Sequence, residues 1–272
     1  MRVHMRPNRM THEILQRHRC AWARKPVLRR VYRRYFRDIL DRCAPLEPIV
    51  ELGCGAGFFK EFCPDAIATD LEETPWTDRT ADCCNLPFGD RSIGNLVMID
   101  VFHHLADPRA FLEEAARVLL PGGRVVMLEP WTSVLGYQFY RRVHQEVAER
   151  QVDTDHPFPN GKEAFQGNPA LPELFFQPDG VNPPRGELKG RLEVREVRRL
   201  PALSWLFTGG FSPYCLLPEP LLCLADMADR LADPLAGLCA LRALITLQRP
   251  VERPVLRTAG VSFRPARHLT VR

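Results

Sequence analysis

The stretch from residue 50 to residue 62, VELGCGAGFFKEF, places three glycines at alternate positions between a short apolar run and an amphipathic one. Gly53, Gly55 and Gly57 have no Cβ, so a ligand can approach their backbone closely. The order is strand, tight turn and helix start, which in α/β proteins brings bare peptide N–H groups to a polar ligand. The stretch therefore predicts a unit that binds a nucleotide-like cofactor.

Four apolar runs, the first of which begins this unit, predict buried strands. They lie at residues 48–52, 66–69, 95–100 and 124–130. Helical spacing of apolar residues fills two of the intervals, at residues 58–63 and 108–120. Strands that alternate with helices over about ninety residues predict a doubly wound parallel sheet.

The second half of the chain is less regular. Residues 136–150 are predicted to be helical, and residues 156–186 are rich in proline, which favours an irregular layer that serves as a lid or a substrate wall. Residues 191–200 and 243–248 predict strands, and residues 216–241 form an unusually apolar helical stretch between them.

Composition limits the class of protein. The chain has 272 residues, of which 45% are hydrophobic and 26% charged, as in ordinary globular proteins. Nine cysteines occur without a CxxC pair or a Cys/His array, which favours a reducing compartment and argues against a metal site. No apolar run is long enough to cross a bilayer. We expect a cytoplasmic protein.

The amino-terminal part is basic. Residues 1–37 contain twelve Lys or Arg against one acid, Glu13. Residues 1–26 lack clear periodicity and are expected to begin as a mobile arm, whereas residues 27–43 predict an amphipathic helix with an arginine face. We therefore divide the chain into residues 1–45 and a domain at 46–272, with substrate-side insertions at 131–190 and 201–242. The arginine face fits a docked helix with a solvated side, an anionic membrane, nucleic acid or an anionic substrate.

The glycine spacing distinguishes two classes of cofactor only weakly. Dinucleotide-binding proteins use G-x-G-x-x-G, which would require glycine at Phe58. The spacing here is G-x-G-x-G, which leaves dinucleotides and S-adenosylmethionine both open.

Four segments between residues 49 and 130 resemble the class I S-adenosylmethionine-dependent methyltransferases, particularly the small-molecule group that includes the ubiquinone and menaquinone C-methyltransferases. The matching segments, in order, are ELGCGAG, ATDLEE, ADCCNLPFGDRSIGNLVMIDVFHHLADP and ARVLLPGGRVVMLEP. The resemblance implies a Rossmann-like α/β fold with a seven-stranded sheet in the order 3-2-1-4-5-7-6 and the last strand antiparallel. Residues 191–200 and 243–248 would then be strands six and seven.

The same resemblance implies the residues that bind S-adenosylmethionine. They are Glu51, Gly53, Cys54, Gly55, Gly57, Asp70, Leu71, Asp82, Cys83 and Asp100. Asp70 is expected to accept both ribose hydroxyls, since a carboxylate has two oxygens. Asp82 and the Cys83 backbone would face the adenine edge, with Leu86 and Phe88 as walls of the ring pocket.

Catalytic candidates lie at the carboxyl ends of two predicted strands, where α/β sheets bind ligands. His103, His104 and Glu129 are the candidates for a base that removes a proton from the acceptor. Packing against the cofactor or capping of the next helix is the alternative for either histidine. Asn95 stands where relatives often carry Asp and is expected to be structural.

The resemblance implies transfer of a methyl group to an O, N or C nucleophile of a small-molecule acceptor. The apolar stretch at residues 216–241 and the arginine helix together suggest a lipid-like acceptor and peripheral contact with an anionic membrane, and an aromatic acceptor stays open. A nicotinamide-dependent oxidoreductase and a non-catalytic cofactor-binding module are the alternatives. IDVFHHL follows the fourth strand in place of the N/D-P-P-Y/F signature of adenine methylation, which argues against a nucleic acid substrate.

Overall fold

A computed structural model describes residues 9–158, 162, 165–177 and 190–251 of the chain. These residues form a seven-stranded sheet with helices on both faces. The strands, in chain order, are β1 (Ile49–Leu52), β2 (Ile67–Asp70), β3 (Arg79–Thr80), β4 (Ile93–Ile99), β5 (Leu119–Pro130), β6 (Glu193–Leu200) and β7 (Arg242–Gln248).

The helices that surround this sheet are mostly short. In chain order they are α1 (Arg9–Arg24), α2 (Pro26–Leu40), α3 (Phe58–Phe62), α4 (Pro108–Val118), α5 (Val134–Arg142), α6 (Leu171–Phe176), α7 (Leu203–Thr208), α8 (Leu222–Ala232) and α9 (Ala236–Cys239). A single turn of 3-10 helix at Phe102–His104 follows β4.

The strand order is β3-β2-β1-β4-β5-β7-β6. Strand β1 pairs in parallel with β2 and with β4, and β7 pairs antiparallel with β5 and with β6. This confirms the predicted doubly wound sheet and its antiparallel last strand. All the parallel strands point their carboxyl ends at one edge, which is where the candidate site lies.

Apolar side chains alternate between the two faces of the central strands. On β4, Leu96 and Met98 pack in the core on one face of the sheet, and Val97 packs in the core on the other face. On β5, Met127 packs in the first core and Val126 in the second. Helices α4 and α6 cover the first face, and α2 and α3 cover the second. Burial on both faces explains why these strands are continuous apolar runs in the sequence.

Asn95 on β4 is fully buried and holds the segment that leads into β1. Its Oδ1 accepts from the Ala44 amide at 2.7 Å, and its Nδ2 donates to the Ala44 and Leu46 carbonyls at 3.0 and 2.7 Å. An amide side chain can do both, whereas a carboxylate could only accept. The expectation that Asn95 is structural is confirmed.

Helix α1 corrects the expectation of an irregular start. Residues 9–24 are helical, so the prediction of an arm without regular structure is wrong there, and residues 1–8 lie outside the described residues. Thr11, Leu15 and Trp22 are buried at spacings of four and seven, which is one face of a helix. Because Thr11 is polar, this face is hard to recognise as an apolar pattern.

Three other boundaries differ from expectation. The helix predicted at 136–150 ends at Arg142, and the apolar stretch at 216–241 is broken into α8, α9 and turns of 3-10 helix. Prolines at positions 218, 220 and 234 explain these breaks. The proline-rich layer at 156–186 contains the short helix α6, and its residues 159–161, 163–164 and 178–186 lie outside the described part.

The arginine face of α2 is largely used inside the molecule. Arg34 forms an ion pair with Asp226 on α8 and donates to Ser204 Oγ at 2.7 Å, and Arg30 pairs with Glu219 at 2.9 Å. These contacts support the interpretation of a helix docked on the core. Within the described residues, no helix combines the length and the apolar character needed to span a membrane.

Candidate active site

The glycine loop, residues 53–57, joins β1 to α3 and depends on the absence of side chains. Gly53, Gly55 and Gly57 have φ angles of +69°, +51° and +74°, in the left-handed region. A Cβ on Gly53 would lie 2.6 Å from Val101 Cγ2, and one on Gly57 would lie 2.6 Å from Trp76 Cβ. Neither position accepts a side chain, so the loop presents backbone to whatever binds there.

Asp70 ends β2 beside the glycine loop. One of its carboxylate oxygens accepts from the Gly55 amide at 2.8 Å and the other from the Glu72 amide at 3.4 Å. Burial raises the pKa of Asp70, and the hydrogen bonds from these amides oppose that shift. The next residue, Leu71, is 57% exposed although it is apolar. A carboxylate next to an exposed apolar side chain fits a sugar joined to a flat base.

Glu51, at the end of β1, is 3% exposed, and its Oε2 has no hydrogen-bond partner among the described residues. Burial, followed by the charge of Asp70, raises the pKa of Glu51 to about 8. A buried acid without a partner is costly unless a donor or cation compensates for it. Glu51 and the bare loop therefore fit a ligand that carries a positive group, as S-adenosylmethionine does.

Other predicted cofactor residues have different neighbours. Asp82 is exposed on a turn, where its Oδ1 accepts from the Cys84 amide at 2.8 Å. Cys83 is half-buried against the core, and burial raises its pKa. The Cys54 thiol lies 3.7 Å from the Trp76 carbonyl oxygen, and its pKa is also raised by burial. The adenine contacts of Asp82 and Cys83 stay a prediction.

Asp100, at the end of β4, faces a cation of the chain itself. It forms an ion pair with Arg242, whose side chain is 1% exposed. The Arg242 guanidinium also lies over the rings of Tyr32, Tyr35 and Trp205 at 5.1 to 6.0 Å from their centroids. In this structure the Asp100 carboxylate is therefore paired with the buried guanidinium of Arg242. The predicted contact of Asp100 with the cofactor stays untested.

Helix α1 lies over the glycine loop. The Arg19 guanidinium donates to the Ala56 carbonyl at 3.2 Å, forms an ion pair with Glu61, and stacks over the rings of Phe58 and Trp76. One turn earlier, Leu15 packs against Gly55, its Cδ2 being 3.6 Å from the place that a Cβ would take. The helix thus packs against the glycine loop at Gly55 and Ala56.

A second group of polar side chains lies farther along the same sheet edge, and we call His103, His104, Glu129 and Glu146 the histidine cluster. Glu129, at the end of β5, is fully buried, and its carboxylate accepts from the Val101 and Phe102 amides at 2.9 and 2.8 Å. Its second oxygen lies 2.7 Å from His103 Nδ1.

Glu146 completes the histidine cluster from the segment after α5. One of its carboxylate oxygens lies 3.3 Å from His103 Nε2 and the other 3.4 Å from His104 Nε2. The Nδ1 of His104 lies 3.0 Å from the Gln166 carbonyl oxygen. The two imidazole rings are 4.1 Å apart between centroids.

The charges of the histidine cluster are coupled. Burial alone lowers the pKa of His103, but hydrogen bonds to Glu129 and Glu146 outweigh burial and raise this pKa to about 10. Burial and the charge of His103 lower the pKa of His104 to about 4. Burial raises the pKa of Glu146, whereas the hydrogen bond and charge of His103 bring it down to about 2. His103 is thus a cation between two carboxylates at neutral pH.

Some residues of this edge were missed from the sequence. Glu146 falls in a stretch predicted as an ordinary helix, and Arg242 lies one residue before the predicted seventh strand. Neither belongs to a motif. An arginine at the start of an apolar strand is only a weak indication that Arg242 has a role at the site. The sequence gives no comparable indication for Glu146.

Residues 50–127 match a family model described as a methyltransferase domain. This segment is therefore similar to a methyltransferase domain. It contains the glycine loop, Asp70 and both histidines of the cluster, whereas Glu129 and Glu146 lie after its last matched residue.

Two curated proteins resemble the methyltransferase domain in sequence. An uncharacterised 37.1 kDa protein in a transposon of Streptomyces fradiae is 33% identical over 126 residues, which covers 39% of this chain and 36% of that protein. A probable S-adenosylmethionine-dependent methyltransferase of Mycolicibacterium smegmatis is 30% identical over 109 residues, which covers 35% of this chain and 42% of that protein. The chain thus matches less than half the length of these relatives.

Among solved structures, a geranyl diphosphate methyltransferase in complex with S-adenosylmethionine is similar to this chain at a TM-score of 0.49 and 14% identity. The match covers 81% of this chain and 86% of that chain.

Proposed function

We propose that this protein is an S-adenosylmethionine-dependent methyltransferase that acts on a small-molecule acceptor. The observation that carries the proposal is the glycine loop together with Asp70 and with Glu51, whose Oε2 has no hydrogen-bond partner among the described residues. The loop lies in a segment that matches a methyltransferase domain, at the sheet edge where such folds bind ligands.

The chain's own residues divide the work of binding. The glycines at positions 53, 55 and 57 let the backbone of the loop approach the amino-acid end of the cofactor. The carboxyl group of Glu51, whose pKa burial raises to about 8, would be ionised by the positive charge of that end. Asp70 can accept hydrogen bonds from two hydroxyls of a sugar. When bound, S-adenosylmethionine supplies an electrophilic methyl group on a sulfonium ion.

The candidate bases differ in their access to an acceptor. Glu129 is fully buried, and its oxygens are taken by amides and by His103, so we assign it the positioning of His103. His104 is more exposed, and its lowered pKa keeps it neutral at pH 7. A role of either histidine as the base stays a prediction.

Calorimetry tests the proposal. We expect S-adenosylmethionine and S-adenosylhomocysteine to bind and NAD to give no heat. Asp70→Ala is expected to weaken S-adenosylhomocysteine binding by about 10- to 100-fold, because hydrogen bonds to a charged group contribute about 1.5–3 kcal/mol.

Asp65→Ala is the matched control, because Asp65 is exposed on the turn just before β2. It is expected to bind like the original protein. Binding of NAD in place of the sulfonium nucleoside would favour the oxidoreductase alternative, and an unchanged affinity in Asp70→Ala would contradict the assignment of the site.

The nature of the acceptor stays a finer prediction. Leu224, Met227 and Leu231 on α8 are each more than half exposed, which supports a lipid-like acceptor or contact with a membrane. The ion pairs of Arg30 and Arg34 oppose membrane contact, because they occupy two of the arginines that it would use. A cytoplasmic location likewise stays a prediction.

A further inference from the structure

The histidine cluster has the donors of a metal site. One ligand atom from each of His103, His104 and Glu146 lies within 4.8 Å of the others. Two imidazoles and one carboxylate form a donor set that divalent transition metals use in proteins. The sequence predicted no metal site, because its cysteines and histidines form no spaced array and Glu146 lies more than forty residues from the two histidines.

Both imidazoles are held in the orientation that a metal ligand needs. The Nδ1 of His103 lies 2.7 Å from Glu129 Oε2, and the Nδ1 of His104 lies 3.0 Å from the Gln166 carbonyl oxygen. A histidine that ligates a metal through one nitrogen commonly donates the other N–H to a carboxylate or a carbonyl. In both rings the remaining Nε2 faces Glu146.

The distances between the facing atoms also fit. His103 Nε2 and His104 Nε2 lie 3.3 and 3.4 Å from the two oxygens of Glu146. Zinc binds nitrogen and oxygen at about 2.0–2.2 Å, so neighbouring ligand atoms around it are about 3.0–3.5 Å apart. An ion can therefore enter the group after small side-chain movements.

The surroundings keep the histidines close together and leave an opening. A Cβ on Gly167 would lie 2.8 Å from atoms of both His103 and His104, so its backbone packs directly against the two rings. A cleft of about 350 Å³ lined by Glu146, Gln166 and Gly167 opens beside them. Through this cleft an ion and a further ligand can reach the group.

We propose that His103 Nε2, His104 Nε2 and the Glu146 carboxylate bind one divalent transition metal ion of the zinc type. Imidazole ligands favour zinc, cobalt or nickel over magnesium and calcium, which prefer oxygen. Three protein ligands leave a coordination position open, as in catalytic rather than structural zinc sites.

The alternative occupant of this position is a proton. His103 then bridges Glu129 and Glu146 as an imidazolium, and a metal ion must displace that proton before it binds. Lys162 is a further cation near the histidine cluster. Its ammonium group interacts electrostatically with Glu146, and its side chain is exposed. A divalent ion would balance the two carboxylates of the cluster.

The site has a place in the proposed reaction, and this step rests on the proposed function. Val101, which contacts Gly53, is two residues before His103, and the intervening turn is a single turn of 3-10 helix. The histidine cluster therefore lies at the same edge as the glycine loop. The open coordination position of the metal would hold an oxygen of the acceptor, as a hydroxyl, carboxylate or phosphate.

Metal binding can be measured without any methyl transfer. The full-length protein, freed of metal with a chelator, is titrated with Zn²⁺ against a chromophoric competitor and with Co²⁺ by visible absorption. We expect one equivalent of Zn²⁺ to bind, with an absorption of Co²⁺ typical of nitrogen and oxygen ligands. His104→Ala and Glu146→Gln are each expected to weaken Zn²⁺ binding by at least about 100-fold.

Glu149→Gln and His156→Ala are the matched controls, because both side chains are exposed and neither belongs to the cluster. They are expected to bind Zn²⁺ like the original protein. Circular dichroism identifies any variant that fails to fold, and the partly exposed His104 is the substitution least expected to disturb the core.

Three results would overturn the proposal: no stoichiometric Zn²⁺ binding, binding that His104→Ala and Glu146→Gln leave intact, or a thiolate-to-cobalt band that assigns the ion to cysteines. S-adenosylhomocysteine binding is measured on the same samples. Loss of Zn²⁺ binding with cofactor binding retained concerns the metal site alone, whereas absence of cofactor binding in the original protein concerns the proposed function.

Discussion

The glycine loop and the histidine cluster lie at the same edge of the sheet, and they are built in opposite ways. The loop comes from one continuous stretch and works through the backbone of three glycines, two of which leave no room for a Cβ. The cluster brings together side chains from the end of β4, the end of β5 and the segment after α5. Its charges are paired, whereas Glu51 beside the loop has an oxygen without a partner in the described part of the chain.

This difference shows two ways to prepare a sheet edge for ligands. A site made of backbone is fixed by sterics and by φ angles, so it needs glycine at particular positions and little else. A site made of buried side chains must satisfy its own charges while the ligand is absent, so it carries internal partners such as Glu129. The acid beside the loop, Glu51, has an oxygen without a hydrogen-bond partner among the described residues. The histidine cluster contains its own cation, the protonated imidazole of His103.

Gly53→Ala tests the dependence of the loop on missing side chains and has the largest expected effect. The new Cβ would meet Val101 at 2.6 Å, and the residue would keep a φ near +69°. Strain and overpacking together are expected to lower the free energy of unfolding by about 3 kcal/mol. Denaturation by urea, followed by circular dichroism, measures this change.

Gly190→Ala separates backbone strain from overpacking against a neighbouring side chain. Gly190 has a φ of +79°, and a Cβ there would meet no atom of the described residues within 4 Å. It is expected to cost about 1 kcal/mol, from strain alone. Equal losses in the two variants would mean that contact with Val101 does not constrain the loop, and the contrast with the cluster would then be weaker.

The first half of the fold was predictable because its signals are local. The apolar runs of β1, β4 and β5 mark strands buried on both faces, and the glycine spacing marks the turn after β1. Asp70 follows from its position at the end of β2. These assignments need no knowledge of which distant residues meet.

The remainder depends on contacts that the sequence does not mark. Glu146 joins the histidine cluster because the segment after α5 folds back over His103 and His104. Helix α1 was missed because its buried face includes Thr11, and it is stabilised by packing of Leu15 and Trp22 and by the bond from Arg19 to the glycine loop. Tertiary contacts decide both cases.

Glu51→Gln tests the claim that the acid of the loop is uncompensated. Because burial raises the pKa of Glu51 from 4.5 to about 8, the folded protein holds a proton there that the unfolded chain releases. The free energy of unfolding should therefore fall as pH rises between these two values. From pH 6 to pH 7.5 this group is expected to remove about 2 kcal/mol.

The comparison with the variant isolates this group. Urea unfolding of both proteins at pH 6, 7 and 7.5 is expected to show a steeper fall in the original protein, since all its other titrating groups are shared with Glu51→Gln. Parallel pH profiles would show that Glu51 is ionised and compensated in the folded protein. The charge beside the loop would then be paired within the protein, as the charges of the histidine cluster are.

Arg19→Ala tests how firmly α1 covers the loop and has the smallest expected effect. Arg19 makes a partly exposed ion pair with Glu61, one bond to the Ala56 carbonyl and two ring contacts. Pairs of this kind contribute below about 1 kcal/mol. We expect little change in overall unfolding but faster hydrogen exchange of the α1 amides, because Arg19 links this helix to the loop while Leu15 and Trp22 stay packed in the core.

Arg17→Ala is the control on the same helix, because Arg17 is 75% exposed and its nearest acid, Glu13, lies 4.0 Å away. It should leave the hydrogen exchange of the α1 amides unchanged.

Glu146 offers no such separable contact, since it contacts both histidines and its removal would leave buried charge behind. If α1 exchanged only with global unfolding in Arg19→Ala as well, the cover over the loop would be as firmly fixed as the segment over the cluster, and a ligand would have to reach the glycine loop by a path that does not move α1.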